Sequence, residues 1–133
     1  MPAHPAPLRL DDAWERLCVR GEPSEELRLA IEAALERNAR SPTLLDLRGL
    51  SDVTDFFLIA TGDSDTHARA ISENILTRTR EAGIRPVGVE GLGNGQWVLM
   101  DFVGLIVHVF LGPVREFYRL ERLWGDAPTF DLE

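Results

Sequence analysis

Apolar residues recur at helical spacing in four stretches of the chain and alternate or run together in five shorter ones. The two periods predict a mixed α/β domain. Leu10, Trp14, Leu17 and Cys18 stand at i, i+4, i+7 and i+8, which predicts a short amphipathic helix ended by Gly21. From Ser24 to about Asn38 a firmer helix is expected, with Ser24 as N-cap, Glu25 and Glu26 in the first turn, and Leu27, Ile31, Ala34 and Leu35 on one stripe. A third runs from about Thr66 to Ala82, with Gly83 as its stop. The last is expected over Val114 to Trp124, opened by Gly112-Pro113 and ended by Gly125, with Val114, Phe117, Leu120 and Trp124 on one side.

Between these lie the strands. Thr43 to Arg48 and Phe56 to Thr61 each close on a glycine, and Pro86 to Glu90, Gln96 to Phe102 and Leu105 to Leu111 follow the third helix. A parallel crossover is expected from the second strand through that helix to Pro86–Glu90. Gly104 makes the last two strands an antiparallel hairpin, so the fold class expected is α/β, a mixed sheet with flanking helices. Three prolines in the first seven residues mark a leader expected to be disordered. The expected organisation is an N-terminal extension over 1–23, one domain over 24–127, and a short, loosely held acidic tail over 128–133.

Composition narrows the function. A chain of 133 residues is sized for one globular core. Its 14 basic side chains, all Arg, stand against 22 acidic ones, for a formal charge of −8. Such a chain is a poor general binder of phosphate backbones, so a nucleic-acid role would run through a basic protein partner. One cysteine, Cys18, allows no internal disulfide and no thiolate metal site. With no signal-like start and no apolar run of membrane-spanning length, a cytoplasmic protein is expected.

The most enzyme-like feature is the strand-to-helix turn Thr61-Gly-Asp-Ser-Asp65, since such turns can cradle phosphate on free amides. Asp63 and Asp65 argue against an anion there, and capping of the helix is their expected duty. The turn is also similar to the first motif of nucleotidyltransferases, but those need paired carboxylates on a neighbouring strand to hold two metal ions. The strands that follow offer Glu90 and Asp101 singly. His4, His67 and His108 are scattered, so no metal or cofactor is expected, and His108, between Ile106 and Phe110, reads as a hydrogen-bonded core histidine. Gly91, Gly93 and Gly95 precede a strand and read as turn glycines.

Several ordered segments together carry a family resemblance: Leu44-Leu-Asp-Leu-Arg-Gly-Leu50, Asp55-Phe-Phe-Leu-Ile-Ala-Thr-Gly62, Gly83-Ile-Arg-Pro86 with Val89-Glu-Gly91, Trp97-Val-Leu-Met-Asp-Phe102, Val107-His-Val-Phe110, and Val114 through Ala127. From about Glu25 to Ala127 the chain resembles the ribosomal silencing factor, or Iojap, family. The resemblance implies a nucleotidyltransferase-like fold lacking the catalytic acid pair, and no enzymatic activity. It also implies binding to the large ribosomal subunit through ribosomal protein L-fourteen, steric obstruction of small-subunit joining, and repression of translation when nutrients are scarce. Carried onto this sequence, the partner-binding surface falls on Trp97, Asp101 and Phe102. Family members usually continue with Gly-Asp where this chain has Val103-Gly104-Leu105, so an acidic residue is missing from the hairpin tip. The alternatives are a metal-dependent nucleotidyltransferase using Asp63, Asp65 and Asp101, and a homodimeric scaffold for another partner.

Overall fold

Helical spacing and strand alternation resolve into eleven elements in a computed structural model that describes residues 6–133, the side chains of Phe117 and Glu121 excepted. In chain order they are α1 (Leu10–Cys18), α2 (Glu25–Glu36), β1 (Arg40–Asp46), β2 (Phe56–Gly62), α3 (Asp65–Glu81), β3 (Gly88–Glu90), β4 (Trp97–Asp101), β5 (Leu105–Leu111), α4 (Gly112–Tyr118), α5 (Leu120–Leu123) and β6 (Thr129–Asp131). The strands form one mixed sheet in the order β3-β4-β5-β2-β1-β6. Only β2 and β5 pair in parallel, over Phe56↔Leu105 to Gly62↔Leu111, and every other neighbour is antiparallel. β3 does run in the direction of β2, as a crossover requires, but β4 and β5 stand between them and its own neighbour is antiparallel β4.

Period-two alternation divides the apolar residues between the faces of the sheet. Leu44, Leu58, Val98, Met100, Leu105, Val107 and Val109 point to one face, where Leu27, Ala30 and Ile31 of α2 and Ala68, Ile71 and Ile75 of α3 bury them in the main core. Leu45, Leu47, Ile59 and Phe110 point to the other, where Val114, Leu120 and Trp124 pack on them. Gly62 shows how closely α3 approaches, since a Cβ there would lie 2.6 Å from the Ala68 amide nitrogen.

Several expectations are corrected. Ser24 occupies the N-cap of α2 without a side-chain bond, whereas Ser64 caps α3, its hydroxyl accepting from the His67 amide at 3.0 Å. Asp63 therefore does not cap; it pairs with Arg40 at 3.2 Å. The expected final helix breaks at Arg119, whose φ of 46° is left-handed, and the chain returns so that Leu120 and Trp124 reach the second cluster. The tail is not loose: Thr129–Asp131 pairs antiparallel with β1, and Leu8 bridges Leu132 beyond it.

The segment before residue 24 is likewise tied down over its described part. Ala13 and Leu17 of α1 are fully buried in the main core. Arg48 donates to the carbonyls of Leu17 (2.9 Å) and Gly21 (2.6 Å), closing the C-terminal end of α1. It is held in turn by buried Asp46 at 2.9 Å. Burial alone would raise the Asp46 carboxyl, but the bonds and charge from Arg48 outweigh it and hold the carboxyl below its usual value. His4 and most of the proline-rich leader lie outside the described residues.

Candidate functional site

The second face of the sheet is only partly roofed. α4 leaves β5 and is fastened over the β1–β2 side by Arg115, which donates to the Thr61 hydroxyl at 2.9 Å, the Thr43 hydroxyl at 2.9 Å and the Ser41 carbonyl at 2.7 Å. Across from that anchorage Phe57, Trp97, Leu99 and Ile106 remain half-buried on one continuous strip. Cross-strand register confirms their common face: Trp97 stands opposite Phe110, Leu99 opposite His108, Asp101 opposite Ile106, and Ile106 opposite Phe57. Apart from His108, the ionisable side chains of β3, β4 and β5 are Glu90 and Asp101, both acidic and both on this face. The strip is an apolar surface with a negative rim.

Alternation separates the three residues expected to bind a partner. Trp97 lies on the strip, its ring 4.9 Å from Phe110 and 4.6 Å from Tyr118 between centroids. Asp101 faces the same way. Phe102 is 6% exposed and belongs to the main core on the opposite face. Of the three, Trp97 and Asp101 therefore share the open face and Phe102 does not. Asp101 also shapes the hairpin tip: its Oδ1 accepts from the Val103 amide at 2.8 Å, and the Gly104 amide donates back to the Phe102 carbonyl at 3.0 Å. Together these hold Val103 at φ 75°, a backbone region costly for a β-branched residue.

His108 is 4% exposed and takes the Trp97 indole N–H on Nδ1 at 3.1 Å. Its ring meets Phe57 edge to face at 4.8 Å. With Nδ1 accepting, the ring proton resides on Nε2, which is buried without a hydrogen-bond partner among the described residues. Burial lowers its pKa from 6.5 to about 4, so the imidazole is neutral at physiological pH. Sequence placed this histidine in the core; its bond to Trp97 was not foreseen, because a pair diagonal across two strands follows only from register.

The three acids weighed for a two-metal mechanism do not converge. Asp101 is level with Ile106 and Phe57, whereas Asp63 lies six residues further along β2, a separation of roughly 20 Å at about 3.3 Å per residue. Asp63, Asp65 and Asp101 thus cannot share a pair of metal ions. Asp65 is occupied locally, accepting from the Thr66 amide at 2.8 Å and facing Arg69 at 3.6 Å. Among the described residues no group of three His, Cys, Asp or Glu side chains could hold a metal. No described helix is long and apolar enough to cross a membrane.

Fold and face together define a mixed α/β domain with one sheet face left partly open. The family model described as ribosomal silencing factor during starvation matches residues 21–133, and the chain belongs to that family. It is 41% identical over 107 residues to ribosomal silencing factor RsfS of Bacillus subtilis, covering 80% of this chain and 91% of that protein. A crystal structure of a protein from Chromobacterium violaceum superposes with a TM-score of 0.74 at 36% identity, covering 82% of this chain and 92% of the other. A mouse protein named mitochondrial assembly of ribosomal large subunit protein 1 is 26% identical over 102 residues, 74% of this chain and 45% of its own length. Membership places the chain among ribosomal silencing factors, a family of regulatory proteins.

Proposed function

We propose that this protein docks on the large ribosomal subunit through ribosomal protein L-fourteen, acts in the cytoplasm, and represses translation by standing where the small subunit must join. The carrying observation is the half-buried strip of Phe57, Trp97, Leu99 and Ile106, an apolar surface of the kind that marks docking sites. Family membership gives the ribosome as the assembly, and the name of the mouse relative points to its large subunit. The negative rim of Glu90 and Asp101 and the chain's charge of −8 favour a basic protein surface over exposed RNA. The action is steric, for which a rigid domain of this size is sufficient.

Sedimentation with purified subunits tests the reading. Wild-type protein should travel with large subunits and not small ones, and its prior addition should reduce formation of joined ribosomes. Trp97→Ala and Leu99→Arg should each weaken the complex about tenfold or more, the equivalent of about 1.4 kcal/mol for a central interface residue. Circular dichroism must show both variants folded, because Trp97 also packs on Phe110. Folded variants that bind and block as wild type does would refute this docking face; wild type that ignores the large subunit at low salt would refute the function.

A further inference from the structure

Beside Trp97 the open face sinks into a recess of about 270 Å³ lined by Glu90, Gly91, Trp97 and Leu99. Gly91 is required by its shape, since its φ is +81° and a Cβ would fall 1.9 Å from the Trp97 carbonyl oxygen. The polar edge of the indole is not available there, because its N–H is spent on His108. Trp97 therefore contributes apolar ring carbon to the recess. Glu90 is exposed and enters no ion pair among the described residues.

An occupant must suit apolar Leu99, the ring of Trp97 and the carboxylate of Glu90 at once. An aliphatic side chain would suit the first two and strip water from Glu90 with nothing in return. An anion would be repelled. Arginine suits all three: its methylenes lie along Leu99, its weakly hydrated guanidinium packs against the indole, and its N–H groups pair with the carboxylate. The geometry points to this recess as a subsite for a cationic side chain, arginine above all, projected by the protein that docks on the open face. It rests on the docking reading above and names the chemistry the partner must carry.

Two experiments test it, one of them without ribosomes. N-acetyl-arginine methylamide and N-acetyl-norleucine methylamide are titrated into the protein, with ¹H–¹⁵N spectra following the Trp97 indole and the Glu90, Gly91 and Leu99 amides. The arginine probe should shift these signals saturably on the millimolar scale, as a single side chain's affinity allows. The norleucine probe should not, and Glu90→Gln should abolish the response. In the second experiment Glu90→Arg is compared with Glu73→Arg, an identical charge change at an exposed position on α3. Glu90→Arg should weaken large-subunit binding at least tenfold and Glu73→Arg no more than about twofold, about 1.4 against 0.4 kcal/mol. Equal responses to the two probes, or equal losses in the two variants, would overturn the subsite. If wild type binds no large subunit, the docking reading fails, and the probe titration still decides the subsite.

Discussion

A single buried imidazole links this fold to acidity. His108 titrates at 6.5 when exposed and at about 4 in the folded chain. Between those values the unfolded state binds a proton that the folded state refuses, so stability is complete above about pH 6.5 and falls as pH drops towards 4. From pH 7 to pH 5 the loss should be about 2 kcal/mol, at roughly 1.4 kcal/mol per unit once the unfolded imidazole is charged. The carboxylates held down by partners, Glu36 beside Asn74 and Arg78 and Asp46 beside Arg48, lose their contribution only below their ordinary values of 4.5 and 3.8. Urea denaturation at the two pH values, on wild type and His108→Asn, isolates the effect. The variant should lose markedly less than wild type, and equal losses would contradict burial of a neutral ring. At this scale strand alternation alone sets which way the side chains of β4 and the residue after it point: Trp97, Leu99 and Asp101 one way, Val98, Met100 and Phe102 the other. Which face is roofed was not legible, since the roof comes from helices distant in the chain.

Elements with their own period were the easiest to foresee. α2, α3, β2 and β5 fall within a few residues of expectation because each carries a full apolar stripe or run. β6 was missed because Thr-Phe-Asp is too short for any period to show; pairing with β1 makes it a strand. β3 lies where the sequence puts it and runs parallel to β2 as the expected crossover requires, but its place at the sheet edge beside β4 is not legible, for its exposed residues carry no information on pairing. α1 was foreseen as a helix but undervalued as an appendage. Leu17 is 1% exposed in the main core, and deleting a buried leucine side chain to a methyl costs about 2–5 kcal/mol. Leu17→Ala should therefore lower the melting temperature by several degrees, and a melt indistinguishable from wild type would show that α1 is not part of the cooperative unit.

For the molecule as a whole, charge governs encounter more than attachment. A net −8, facing a basic protein surface, should accelerate association with the large subunit at low salt. Raising salt from 50 to 300 mM should slow association about tenfold and change dissociation far less, which stopped-flow mixing can separate. Association insensitive to salt would place the partner's charge elsewhere. The sheet itself consists of two antiparallel groups, β3-β4-β5 and β2-β1-β6, and the parallel β2–β5 pair is the one seam between them. That seam can form only after the chain from Gly62 to Leu105 has been looped back on itself, an entropic cost met before any of its contacts is gained. The barrier to folding is accordingly expected at the seam, which refolding and unfolding rates measured by stopped flow would test. Trimming Leu58 or Val107 would slow folding itself, whereas equal damage to the β3 edge would chiefly hasten unfolding.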